Sequence, residues 1–445
     1  LYITTGKRVS SKGDHPLIAA LILTGLTNLD LHGSALPNGL EVFTLYDPSA
    51  PVVTVCVAVK TGATCETPET NGLAHFYEHM FFKGNAALPD QTAYNERMRA
   101  LGIIRNGTTS REVVKYYITL GSSRFEEGME FMRDAMLTPL FDSVEMERER
   151  SVITDEYLRN SSSSWWAFRK AVENTVYPEP WRGSAIGALE VIQSASPGVM
   201  RHFRETYYTP DNAALFIIGD ISEDSALSAA GRYFGEWESG GRSDYDSLGP
   251  AVSIPGDTTV TVQGPPGVGY IQIVLQGPTL LSDRESTYAG DVWGTYLGLA
   301  SRRFQRNLVT EGPFTEVYGG YTTQRFSPMI TLGGMIEPGL VEEGLALLNR
   351  ELDAMVRGDY FDPGGVEIAA SRLRRERLLA RESSRDLAIE TLPFWWVQGS
   401  GIDYYLTYEE GIALVDPGRI GDFVEEYIAG KPRAVFLVTP DGGSR

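Results

Sequence analysis

The periodic text of this chain breaks once, around Glu238-Ser239-Gly240-Gly241-Arg242-Ser243-Asp244, and Pro250, Pro255 and Gly256 follow. Gly, Ser, Asp and Pro crowded together is linker composition. Each side of the break then opens in the same way. Val52-Val53-Thr54-Val55-Cys56-Val57-Ala58-Val59 reads as a strand near the start of the first side, and Tyr270-Ile271-Gln272-Ile273-Val274-Leu275 stands early in the second. Helical stretches come after each, such as Phe125 to Leu137 and Leu340 to Val356. Strands mixed with long helices in two similar halves predict duplicated α+β domains. Their bounds are expected at residues 1–240 and 258–445, with 241–257 as the linker. A chain of 445 residues is too long for one core, which agrees.

Within the first half, His75-Phe76-Tyr77-Glu78-His79 carries the chemistry. Residues four apart on a helix share a face, so His75 and His79 can point at one ion. Glu78 flanks the same edge, where it can take a proton from an activated water. H-x-x-E-H is the inverzincin spacing. A bland alternative stands beside it: a His-x-x-x-His pair arises by chance, and a histidine near Phe76 and Phe81 can be a core residue satisfied by a backbone carbonyl. The chain has only five histidines, and two fall here.

The flanking text adds weight. Asn71-Gly72-Leu73-Ala74 before the motif and Met80-Phe81-Phe82-Lys83-Gly84 after it resemble the signature of the pitrilysin-like metallopeptidases, in the branch that includes the mitochondrial processing peptidase. Leu36-Pro37-Asn38-Gly39-Leu40, Asn106-Gly107-Thr108-Thr109-Ser110-Arg111-Glu112 and Tyr208-Thr209-Pro210-Asp211-Asn212 with Gly219-Asp220 extend the resemblance. Weaker echoes lie at Ser301 to Gln305 and Ala380 to Ser383. The resemblance implies two homologous domains, each an antiparallel sheet with helices on one face, together forming half of a clamshell.

It also implies a site. A catalytic zinc takes three protein ligands and keeps a position for water. The run Glu145 to Glu156 offers several acids, and composition alone reads it as a solvated charged face. The resemblance singles out Glu156 as the third ligand of one Zn²⁺ per chain, and Glu149, two turns back, as an accessory acid that orients a ligand. Glu78 is then the general base of peptide-bond hydrolysis. Asn106, Gly107 and Thr108 are expected on an edge strand that takes an extended peptide as an added strand. Gly107 stands where the family usually has alanine, which keeps backbone access open. Asn106-Gly107-Thr108 also matches a glycosylation acceptor, but the strand edge is the stronger reading.

One departure bears on partners. Active single-chain relatives carry in the second half an arginine and a tyrosine that hold substrate. Here Val309 stands at the arginine position and Thr315 at or near the tyrosine position. Tyr318 and Tyr321 are out of register, and Arg306 has no tyrosine at the required distance. With a length of half a clamshell, this implies a heterodimer whose homologous partner supplies the Arg/Tyr pair. The alternatives are a homodimeric peptidase and a non-catalytic core subunit of a larger complex.

A formal charge of −19 argues against nucleic acid or anionic lipid as partner and leaves room for cationic peptides. No apolar run is long enough for a membrane span. Leu17 to Leu23 resembles the centre of an export signal, but Asp14 and His15 precede it and no clear cleavage site follows. The chain begins at Leu1, so trimming or processing is expected. The expected location is a bacterial periplasm, with the cytoplasm as alternative. Cys56 and Cys65 are too few for a disulfide scaffold and are expected to pack beside the first strands, with a bridge between them left open.

Overall fold

The computed structural model of the chain describes residues 21–22, 30–177, 184–240, 244–249, 252–399, 401–440 and 442. The first half supplies β1 (Leu21–Ile22), β2 (Leu31–Ala35), β3 (Glu41–Tyr46), β4 (Val52–Val59), β5 (Ile104–Thr109), β6 (Val114–Gly121) and β7 (Ala213–Gly219). These form one sheet in the order β1-β2-β3-β7-β4-β6-β5. The second half supplies β8 (Thr258–Gln263), β9 (Gly269–Gln276), β10 (Phe314–Thr322), β11 (Met329–Ile336) and β12 (Ala434–Thr439), in the order β10-β11-β9-β12-β8. The order β5-β6-β4-β7-β3 is therefore repeated in β10-β11-β9-β12-β8, with each pairing in the same sense.

The resemblance implied an antiparallel sheet in each half, but neither sheet is wholly antiparallel. β3 and β7 run parallel, and so do β8 and β12. The reason is topological. β7 and β12 each follow a long helical stretch, and a crossover of that length can return the chain beside a parallel neighbour.

β4 shows why its text is almost continuously apolar. Val53, Val55, Val57 and Val59 pack in the cluster that contains the helix Leu73–Phe81, whereas Cys56 and Ala58 turn to a cluster shared by both sheets. A strand covered on both faces has no solvent side to mark with polar residues. In that shared cluster, Phe216 and Ile218 of β7 meet Val274 of β9 and Phe436 of β12. Leu387, Ile389, Leu392 and Trp396 fill the same space, so helices cover more than the single face expected.

The expected linker also packs. Tyr245 and Val252 are buried, and the Tyr245 hydroxyl donates to the Glu112 carbonyl oxygen at 2.8 Å. Polar contacts join the halves as well. The backbone N–H groups of Arg325 and Phe326 donate to the Glu112 carboxylate, each at 3.0 Å. Lys115 Nζ reaches Glu390 at 2.6 Å, and Trp396 Nε1 donates to Glu41 at 2.9 Å.

Of the apolar segment Leu17 to Leu23, only Leu21 and Ile22 lie among the described residues, as β1 against β2. No described helix is long and apolar enough to cross a membrane. Cys56 and Cys65 are both free, and burial pushes the Cys56 thiol up to about 12. The bridge between them is not formed.

Candidate metal centre

The helix Leu73–Phe81 has no side-chain cap of its own, because Gly72 stands at its start with φ 105°. It carries His75, Glu78 and His79 over the outer end of the first sheet. The two imidazoles stand one turn apart, 4.7 Å between ring centres and nearly perpendicular. A second helix, Ser143–Ser161, begins on Asp142, whose carboxylate accepts from the N–H groups of Val144 and Glu145. Its buried positions are Met146, Glu149 and Ile153, a stripe at helical spacing, and Glu156 is the next residue on that stripe. The solvated reading holds for Glu147, which is exposed and pairs with Arg150, whereas Glu145 pairs with Arg148 and is largely covered.

Three ligand atoms converge. His75 Nε2 and His79 Nε2 each lie 3.7 Å from Glu156 Oε2. All three sit within 4.8 Å of one another, and this is the only such group of metal-binding side chains among the described residues. The 3.7 Å separations are too long for hydrogen bonds. They fit donors on one ion, because ligands about 2.0–2.1 Å from a tetrahedral zinc stand roughly 3.4 Å apart. Burial, helped by the neighbouring His79, holds the His75 pKa down to about 4, which leaves its lone pair free for a metal. His75 Nδ1 is buried without a hydrogen-bond partner.

On the far side of His79, its Nδ1 lies 3.0 Å from Glu149 Oε2. Glu149 also pairs with Lys83 at 2.5 Å. Burial alone would push the Glu149 carboxyl up, but the bonds from His79 and Lys83 outweigh it and hold the group below its usual range. Glu149 therefore stays an anion beside the ring and does not face the three converging atoms.

Glu78 is set apart from the ligand atoms. Thr109 Oγ1 donates to Glu78 Oε2 at 2.6 Å. Burial pushes the Glu78 carboxyl up, and the Thr109 bond partly offsets this. Gly107 packs against the same side chain: a Cβ there would lie 2.7 Å from Glu78 Cγ. Its missing side chain thus makes room for Glu78, which the sequence reading had not foreseen. Among the described residues, β5, which bears Asn106, Gly107, Thr108 and Thr109, pairs only with β6 and ends the sheet. Asn106 is exposed along it.

Three contributors went unread in the sequence. Thr109 shares a strand face with Gly107 at the period of two, a signal available once Glu78 is assigned. Lys83 follows His79 by one helical turn. Glu66, whose carboxylate accepts from Gly72 N and Ala74 N at the start of the motif helix, lies six residues before Gly72, outside any capping spacing, and no local pattern marks it.

Among the described residues, the second-half positions weighed for the clamp are otherwise engaged. Thr315 Oγ1 donates to the Met335 carbonyl oxygen, and Arg306 lies 3.8 Å from Glu311. The hydroxyl of Tyr321 donates to the Pro278 carbonyl oxygen at 2.6 Å, while those of Tyr318 and Tyr270 are 2.7 Å apart. Both tyrosines are engaged inside their own half.

The second half does hold the geometric counterpart of the metal helix. The helix Arg284–Leu297 lies against β10 as Leu73–Phe81 lies against β5. Asp291, Gly294 and Thr295 repeat the spacing of His75, Glu78 and His79 and line a cavity of about 340 Å³. Among the described residues no metal-ligand set lies there. A Cβ on Gly294 would lie 3.0 Å from the Gly320 Cα, so helix and strand touch through their glycines.

Residues 41–188 match the family model described as insulinase (peptidase family M16), and residues 194–373 match the peptidase M16 inactive domain. An uncharacterized zinc protease of Bacillus subtilis, YmxG, is 25% identical over 350 residues, covering 78% of this chain and 83% of that protein. The mitochondrial-processing peptidase subunit beta of Caenorhabditis elegans is 27% identical over 217 residues, covering 47% of this chain and 46% of that one. Among solved structures, a protease from Helicobacter pylori superposes with a TM-score of 0.79 over 93% of this chain and all of its own, at 18% identity. At that identity the likeness speaks for the fold alone.

Proposed function

This chain belongs to peptidase family M16, and on that premise we propose that it is the zinc-binding subunit of a peptidase that hydrolyses extended peptides. The convergence of His75 Nε2, His79 Nε2 and Glu156 Oε2 carries the reading. These three would hold one Zn²⁺, which when bound would lower the pKa of a water and polarise the scissile carbonyl. Glu149 orients His79 through Nδ1.

Glu78 takes a proton from the attacking water and delivers it to the leaving nitrogen. Thr109 fixes one carboxylate oxygen and leaves the other for this exchange. Burial favours the protonated form, so the Glu78 carboxylate binds the water's proton more tightly than an exposed one would. The substrate adds as a strand along β5, whose outer backbone edge is unpaired among the described residues. Main-chain bonding there tolerates varied sequences, and the net charge of −19 favours cationic ones.

The missing clamp supports a two-subunit enzyme. A homologous partner with the Arg/Tyr pair would stabilise the charge that develops on the carbonyl oxygen. The test is metal analysis of the purified chain, followed by peptide cleavage by the chain paired with a homologous subunit that carries the Arg/Tyr pair, before and after chelation. Zinc near one per chain, with cleavage lost on chelation and restored by zinc, is the expected result. A chain that takes up no zinc would end the proposal.

A further inference from the structure

The motif helix begins without a cap, yet its first N–H groups are not orphaned. Glu66, only 3% exposed, reaches them from six residues upstream of Gly72. Its Oε2 accepts from Gly72 N and from Asn71 Nδ2, both at 2.9 Å, and its Oε1 accepts from Ala74 N at 2.8 Å. A carboxylate at that end also opposes the positive pole of the helix. Ala74 immediately precedes His75, so these bonds fix the height and rotation of the turn that bears the first ligand.

The loop that carries Glu66 is anchored in turn. Thr64 N donates to the Arg111 carbonyl oxygen at 2.9 Å, the Thr64 hydroxyl donates to that same oxygen, and Ala63 N reaches the Ser110 oxygen at 3.4 Å. Ser110 and Arg111 belong to the turn that follows β5. A Cβ on Gly62 would lie 2.4 Å from the Ser110 oxygen, so glycine is what allows this contact. The path closes on itself: β5 holds Glu78 through Thr109, the helix passes from Glu78 back to Ala74, and Glu66 returns it to the turn after β5.

We propose that Glu66 is a positioning residue that sets the metal-binding helix at a fixed distance from the strand edge. The idea rests on the metal reading above, but its bonding can be tested without it. The carboxylate is required for a chemical reason. Glutamine offers one acceptor oxygen, and its NH2 must then face a backbone N–H at either Gly72 or Ala74. Asn71 can turn its amide to suit; the backbone cannot.

Two measurements test this. In the wild-type chain stripped of metal, the Gly72 and Ala74 amides should resist hydrogen exchange, because Glu66 and not the ion holds them. Exchange there as fast as in an open loop would overturn the proposal, whether or not zinc is ever bound. In Glu66→Gln, zinc affinity measured by competition with a chromophoric chelator should fall about tenfold or more, the scale of losing an orienting partner. A variant that melts earlier but binds zinc as tightly as wild type would show a role in stability only and would also overturn it. Should Glu66→Gln not fold, the wild-type exchange measurement decides alone. If wild type itself takes no zinc, the metal reading fails while the exchange result still stands for or against Glu66.

Discussion

Glu149 Oε2 lies 3.0 Å from His79 Nδ1, on the opposite side of the ring from Glu156. The bond fixes the tautomer, since Nδ1 must carry the hydrogen for Nε2 to offer its lone pair. Glu149→Gln should therefore weaken zinc binding about 10–100-fold while leaving the three ligands in place. Chelator competition at fixed pH measures it, and an unchanged affinity would remove Glu149 from the site.

Glu78→Gln separates base from ligand. Zinc content should remain near that of wild type, and turnover should fall by about 10²–10⁴, the range for losing a general acid–base group. Thr109→Val should lower kcat with little change in KM, because it frees the carboxylate without touching the strand edge. Zinc lost from the glutamine variant would mean that Glu78 is a ligand after all.

Glu112 seals the two halves by accepting from the Arg325 and Phe326 N–H groups. Glu112→Ala leaves both donors buried and unmet, at about 1–3 kcal/mol each. Urea unfolding should move to lower concentration, with zinc content per folded chain unchanged. A midpoint equal to wild type would show that water replaces the carboxylate without cost.

Asp291 provides a pH dependence away from the metal. Burial pushes its carboxyl from 3.8 up to about 7, against a hydrogen bond from Tyr408. An acid whose pKa is higher folded than unfolded binds its proton more tightly in the native state, so its contribution to stability is lost as pH rises between about 4 and 7. Asp291→Asn should flatten this part of the profile and raise Tm relative to wild type at pH above about 7. Melting curves of the metal-free proteins measure it, and parallel slopes would contradict the assignment.

The partner prediction concerns rate. The chain alone, fully loaded with zinc, should cleave peptides poorly and gain activity with a homologous chain carrying the Arg/Tyr pair. Losing one oxyanion donor costs about 10²–10³ in rate in other enzymes. An assay at equal zinc content compares the two. Vigorous cleavage by the isolated chain would favour a homodimer.

Much of this was legible because it is written at short range. His75 and His79 need only a helix to meet; Glu156 was reached through the family resemblance alone, and the structure sets it on the buried stripe of its own helix. The duplicated order of strands was legible more coarsely: two halves were visible, but not that β7 and β12 insert beside parallel neighbours, since pairing partners lie far apart in sequence. Glu66, Thr109 and the Glu112 staple were hidden for the same reason. Each acts through backbone groups or side chains that the fold alone brings near, and a hydrogen bond to an N–H leaves no mark on the residue that owns it.

The glycine contact between helix Arg284–Leu297 and β10 bears on what this scaffold can be made to do. Asp291, Gly294 and Thr295 have the spacing for Asp291→His, Gly294→Glu and Thr295→His, which would write the motif into the second half. Ligands alone would not suffice. The new glutamate would begin with its Cβ 3.0 Å from the Gly320 backbone, so helix and strand would have to part before any ion could enter. Engineering a second centre here is a problem of respacing a seam; in the first half Gly107 on the strand leaves the room that Glu78 occupies.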